Sequence, residues 1–303
     1  MTIYVDDDYN LYVSDAYNHR IMKYYPNNRT GTIVAGGLSP GSSALQLNDP
    51  KGVAMDRTGA IIVGDSQNYR IQKFSNGSLV GTTVSSNSSN SLFGITRDIR
   101  VDCYNNIIAT DSVFSRIIKF TPDGSNMTVL VNNNGVGLAA DQFKAPFGIF
   151  IDNDQTLYVA DKENHRVQMW PSGATSGITV AGISGSAGSS LMRLNGPSAV
   201  VVDNNGFIYI ADSRNHRIVK WTMNYTAGGV CVVGCSGSSG IGPTYLSGPR
   251  DLKFDPSGNL YVTDQGNNRI QKFMVQTSTS SCLSSNKKKL SISIHFLFVF
   301  LGG

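Results

Sequence analysis

The chain has 303 residues, 40% of them hydrophobic, 15% charged and 9% aromatic, with 32 glycines and four cysteines. That apolar content excludes a disordered chain, the absence of a three-residue glycine period excludes a collagen, and four cysteines are too few for a disulfide scaffold of this length. The net charge is +4, from 25 basic and 21 acidic residues, but setting aside Lys287, Lys288 and Lys289 near the end leaves 22 against 21. A near-neutral body lacks the electrostatic footprint of a nucleic-acid binder, so nucleic acid is not an expected partner.

Taken in chain order, one set of elements passes six times. An apolar run ends in Asp6, Asp56, Asp102, Asp152, Asp203 or Asp255, as in KGVAMD, FGIFID and SAVVVD, and reads as strand a. A short turn with Gly or Asn follows (RTGA, NNGF, PSGN), then strand b, rich in Tyr and β-branched residues (NLYVSD, TLYVAD, FIYIAD). Next comes a D-x-x-N-x-R-[IV] turn led by Asp15, Asp65, Asp111, Asp161, Asp212 and Asp264 at intervals of 50, 46, 50, 51 and 52 residues. Strand c opens on the Arg (RIMKYY, RIQKF, RVQMW), and a Gly-containing turn leads to strand d (GTIVAGG, GITVAG, GVCVVG).

The two aspartate series stay nine residues apart in every copy. A fixed offset inside a variable period means a rigid unit joined by elastic loops. Four antiparallel strands per unit, with no sustained helical period, predict an all-β chain: a six-bladed β-propeller of four-stranded antiparallel blades. Blades are expected at about 2–47, 48–95, 96–144, 145–195, 196–247 and 248–276, followed by a Ser-rich, basic and then apolar tail over 277–303 that is expected to be poorly ordered. The sixth unit has no obvious strand d after Phe273. Either an end segment (Ser291 to Ile294, or the stretch near Thr277) closes that blade or the chain is an incomplete version of a longer protein, and incompleteness is the expectation.

The composite pattern G-[VI]-x-[VI]-D…[LI]-Y-[VI]-x-D-x-x-N-x-R-[IV] resembles the NHL repeat, whose Asn-His pair stands here as Asn18-His19, Asn164-His165 and Asn215-His216. The resemblance covers roughly residues 2 to 275. It implies a six-bladed propeller and three kinds of function. These are a recognition scaffold for protein or peptide, an enzyme resembling the peptide-amidating lyase or the lactonases, and a substrate-recognition propeller similar to that of TRIM-NHL ubiquitin ligases, separated from its RING part. The non-catalytic, monomeric scaffold is the expectation.

Features copied in every blade serve the blade, so Asp15 and Arg20, Asp65 and Arg70, Asp111 and Arg116, Asp161 and Arg166, Asp212 and Arg217, and Asp264 and Arg269 are expected as structural pairs, with each Arg fork also reaching nearby carbonyls. Phe114 replaces the Asn of the third copy, so that turn should be the least regular. His19, His165 and His216 could ligate zinc only if they converged. They sit on separate blades, strand a contains no His, and so neither metal nor cofactor is expected. The lysines three residues after the repeated Arg in five copies (Lys23, Lys73, Lys119, Lys220 and Lys272, with Met169 in the fourth copy) read as solvated strand-c positions.

Specificity must come from places where the copies differ. In a propeller the b–c turns and the long d-to-a crossovers share one face, and Tyr17, Tyr69 and Phe114 on the turns are candidate binding residues there. Phe93, Phe143 and Tyr245 on the crossovers read as plugs. Two copies of strand a break the apolar pattern, Arg97-Asp98-Ile99-Arg100 and Arg250-Asp251-Leu252-Lys253, on opposed blades. Asp98, Arg100, Asp251 and Lys253 therefore line either a polar mouth of the channel or salt bridges within each strand. Cys231 and Cys235 suit a small-loop disulfide and so an oxidising, extracellular setting. Asn28, Asn76, Asn87, Asn126 and Asn224 begin N-x-[ST] triplets, which permit glycosylation without indicating it. Met1 is followed almost at once by strand a, so no secretory leader is expected, and the apolar end of the tail is too short to span a bilayer.

Overall fold

The structure is a computed structural model. It describes all residues except 38, 87–93, 132–134, 223, 277–290 and 295–303. Six four-stranded antiparallel sheets follow one another along the chain. The innermost strands, Ile3–Val5, Pro50–Met55, Thr96–Val101, Pro146–Ile151, Pro197–Val202 and Pro249–Phe254, touch in ring order, and the last touches the first. This is a six-bladed β-propeller with strand a of each blade along the axis.

Each strand b is buried along its whole length, as in Leu157–Asp161 and Ile208–Asp212. The apolar side chains on the two faces of each blade meet those of its neighbours in six clusters, one per blade interface. Val200, Ile210, Val219 and Trp221 of the fifth blade pack on Tyr158, Val167, Val180 and Leu194 of the fourth. Ile3, Val13 and Met22 of the first pack on Tyr261 and Ile270 of the sixth. Burying one such Val, Ile or Leu is worth about 1.5–3 kcal/mol, and the sixfold repetition spreads that stabilisation evenly round the ring.

The a–b turns obey a single rule. The Oδ1 atom of Asp56 accepts from the backbone N of Thr58 and Ala60, that of Asp152 from Asp154 and Thr156, and that of Asp203 from Asn205 and Phe207. The constant offset between the two aspartate series is thus the length of one Asp-bonded a–b turn plus strand b.

In the sixth blade three strands come from the continuous segment ending at Gln276. The fourth place is taken by Ser291–Ile294, which pairs antiparallel with Arg269–Gln276 through Phe273 opposite Ile294 and Gln276 opposite Ser291. An end segment, Ser291–Ile294, thus stands in the fourth place of this blade. The rest of the tail lies outside the described residues. No helix among the described residues is long and apolar enough to cross a membrane.

Candidate functional site

The b–c turns and crossovers do lie together, because the repeated Asp–Asn–Arg set fastens one to the other. In the fourth blade Arg166 donates through Nε to Asp161 at 2.8 Å and through its fork to the carbonyls of Leu138, Ala139 and Gln142 at 2.8, 2.9 and 2.8 Å. Asn164 donates to Asp161 and to the Gly137 carbonyl, both at 2.7 Å, and Asp161 accepts from the Lys144 amide at 2.8 Å. All of these carbonyls belong to the crossover arriving from the blade before. Blades two, five and six repeat the clasp with Arg70, Arg217 and Arg269.

Arg20 binds Asp15 at 2.8 Å, and its side chain is 28% exposed against 2% for Arg166. In the third blade Arg116 reaches Asp111 at 3.1 Å while the Phe114 amide replaces the missing Asn as donor. There the turn lacks the short 3-10 helix that the other five blades form, for example Lys162–Asn164.

The repeat histidines do not converge. Each sits just after that helix at a φ of 53° to 56°, and its Nδ1 accepts a backbone amide of the next crossover: His19 from Asp49, His165 from Gly196 and His216 from Gly248, at 3.1, 3.1 and 3.0 Å. Ser115 does the same for Ala145 with its hydroxyl. Burial, then the charge of Arg214, holds His165 below the usual imidazole range. No group of three or more His, Cys, Asp or Glu among the described residues is placed to hold a metal ion, so this donor set does not fit a hub zinc.

Tyr17, Tyr69 and Phe114 stand on the crossover face of three consecutive blades, 84%, 41% and 43% exposed. The Arg116 guanidinium lies 4.9 Å from the centre of the Phe114 ring. Phe143 is fully buried against Trp170, with ring centres 4.7 Å apart, whereas Tyr245 is 39% exposed. Phe93 lies outside the described residues. Two of the strand-c lysines are ion-paired: Lys73 with Asp56 at 2.7 Å and Lys272 with Asp255 at 2.9 Å.

On the axis, Asp98 pairs with Arg100 at 2.6 Å and Asp251 with Lys253 at 3.0 Å. Both carboxylates are buried, and each also bridges to the next blade. Asp98 accepts from the Ile149 amide at 2.9 Å and Asp251 from the Ile3 amide at 2.8 Å. Desolvation pushes both carboxyls above the ordinary range, and for Asp251 the charge of Asp98 adds to it. These four residues bind one another and the backbone around them.

The sequence marks Arg97 and Arg250, each one residue ahead of those aspartates, as strand-a charges but not as candidate site residues. Their guanidinium carbons lie 5.3 and 4.5 Å from the centre of the Phe147 ring, and the Lys162 ammonium lies 4.2 Å from it. The signal was present. The second residue of strand a is Lys51, Arg97, Phe147, Ser198 and Arg250 in blades two to six, basic in three of them. At the other end of the axis a cavity of about 490 Å³ is lined by Tyr4, Asp6, Asp7, Asp8, Arg57 and Cys103, among others.

Cys231 and Cys235 form a disulfide beside the fifth b–c turn. Between them Gly234 has a φ of +71°, and a Cβ there would meet the His216 carbonyl at 2.2 Å. That position takes only glycine without strain.

Fold and repeat chemistry define a six-bladed β-propeller whose blades are clasped by a repeated Asp–Asn–Arg set. More particularly, three of its segments match the NHL repeat, whose model covers residues 47–74, 194–221 and 246–273. The chain is 29% identical over 140 residues to NHL repeat-containing protein 3 of Homo sapiens, covering 42% of this chain and 39% of that protein. It is 22% identical over 297 residues to peptidyl-glycine alpha-amidating monooxygenase of Mus musculus, covering 96% of this chain and 25% of that one. These matches span well under half the length of either relative. Among solved structures, a chain of a nidogen/laminin complex superposes with a TM-score of 0.63 at 17% identity, covering 84% of this chain and 86% of that one.

Proposed function

We propose that the chain is a non-catalytic recognition module that binds a protein or peptide through the face built by its b–c turns and crossovers. The observation that carries this reading is the exposure of Tyr17, Tyr69 and Phe114 on three consecutive blades, while the Phe143 crossover aromatic is buried. Rigid aromatics with one free face make contact area at small entropic cost, and they are over-represented among binding hot spots. Long loops gripped by their backbone leave their side chains available for contact.

The test is affinity capture with the whole chain against a variant carrying Tyr17→Ala, Tyr69→Ala and Phe114→Ala. A tenfold or greater loss of specifically captured partner at unchanged melting temperature supports the reading. Equal recovery of every partner from both proteins discards it.

A second reading, an enzyme resembling the amidating protein, draws support from an alignment that runs over 96% of this chain. It requires a metal at the hub, and the outward separation of His19, His165 and His216 speaks against one. Metal analysis of the purified protein decides between the two readings.

A further inference from the structure

The crossover end of the axis gathers positive charge whose nearby carboxylates, Asp49, Asp251 and Glu163, are each bonded to another cation. Arg97 and Arg250 enter from opposed blades and share the buried Phe147 ring with Lys162, which arrives from the fourth b–c turn. Their polar contacts are few. Arg97 Nε donates to Ser112 Oγ at 3.2 Å, and Arg250 Nη1 donates to Gln265 Oε1 at 3.4 Å. The Nε and Nη2 atoms of Arg250 are buried and have no hydrogen-bond acceptor.

The nearby carboxylates are already engaged. Asp49 holds Lys51 at 2.6 Å, Glu163 holds Arg214 at 2.7 Å, and Asp251 serves Ile3, Leu252 and Lys253. An aromatic face attracts a cation by about 0.5–2 kcal/mol, yet three like charges around one ring repel each other. A buried N–H lacking an acceptor costs about 1–3 kcal/mol more. A single oxyanion lessens both penalties, since its two oxygens can accept from Nε and Nη2 of one guanidinium while its charge attracts all three cations.

We infer that this end of the axis is an oxyanion site, taking one carboxylate or phosphate group between Arg97, Arg250 and Lys162. The site lies on the same face as the exposed aromatics of blades one to three, but it stands whether or not those aromatics bind a protein.

The test titrates the whole chain with inorganic phosphate and, separately, with succinate, each against sodium chloride at matched ionic strength and pH 7. Melting temperature and calorimetric heat are both read. The site predicts a saturable response to at least one of the two anions, and which one responds names the phosphate or the carboxylate as ligand chemistry. The double variant Arg97→Gln with Arg250→Gln should weaken that response at least tenfold, while Arg57→Gln on the opposite face leaves it unchanged. If the double variant does not fold, Lys162→Gln serves, with an expected loss of at least threefold. No saturable response to either anion, or an equal response in the axial variants, overturns the inference.

Discussion

Arg100 of the third blade approaches Asp251 of the sixth across the propeller axis, with Nη2 and Oδ1 4.0 Å apart. Two strand-local ion pairs are thereby joined into one network that spans the hub. Each aspartate also caps an amide of the following blade, so four of the six blades meet in this group.

The shared Arg100 makes the two aspartates interdependent. Asp98→Asn and Asp251→Asn are each expected to cost about 2 kcal/mol through a lost charged hydrogen bond. With Asp98 gone, Arg100 is free to turn to Asp251, so the second substitution should cost about 1 kcal/mol more in that background than alone. A double-mutant cycle by urea unfolding measures this, and additivity would mean that Arg100 does not bridge.

The clasps should differ in strength with their burial. Arg166→Ala leaves Asp161 buried without its partner and frees three crossover carbonyls, at an expected cost of about 3–5 kcal/mol. Arg20 is partly wet and has Asp15 as its carboxylate partner, so Arg20→Ala should cost about 1.5 kcal/mol. Unfolding midpoints of the two variants check the order.

His165 is neutral at its Nδ1 in order to accept the Gly196 amide. Burial and Arg214 hold its folded pKa below the unfolded value, so its stabilisation is complete above the unfolded pKa and fades as pH falls through the folded one. His165→Asn suits the left-handed backbone, as Asn268 does at the matching place in blade six. It is expected to lose about 1 kcal/mol at pH 7 and to converge with the parent protein toward pH 5 in thermal melts.

Lys162 behaves in the opposite sense. Burial, followed by repulsion from Arg250 and Arg214 and by Arg97 against the pull of Glu163, brings its ammonium down to about 8. Its charge therefore opposes folding at neutral pH, and the penalty disappears as pH rises past the unfolded lysine value. Lys162→Met should raise stability at pH 7 by about 1 kcal/mol after allowance for solvent screening. Above about pH 10.5 it should give no gain, because an unfolded lysine is then neutral too; paired melts at the two pH values decide it.

The Cys231–Cys235 ring is small, so the entropy it removes from the unfolded chain is modest. Replacing both cysteines by serine should lower stability by about 2 kcal/mol and leave anion or partner binding in place. Denaturant unfolding and the binding titration read the two effects separately.

The wheel was legible in the sequence because its signals are repeated and local. Asp56 caps a turn two and four residues on, and Arg70 answers Asp65 five residues on, so spacing alone exposes them. The hub was only half legible. Asp98 and Asp251 announce themselves as charges in an apolar strand, but Arg97, Phe147, Arg250 and Lys162 lie far apart along the chain. What gathers them is ring closure, which no local window contains. The closing strand Ser291–Ile294 was an open alternative for a related reason, since its partner, the strand through Phe273, precedes it by a long stretch without repeat signals.

Because the arginine forks grasp the crossovers by main-chain oxygens, the grip is indifferent to what side chains those residues carry. Ser42 and Ser189 carry hydroxyls and Leu138 and Ile241 carry aliphatic chains, yet all four occupy the same held place. The wheel can therefore be re-addressed without being rebuilt: randomising these loop positions would yield a library of recognition surfaces on a constant frame, with the glycines at the bends and the clasping triads left alone.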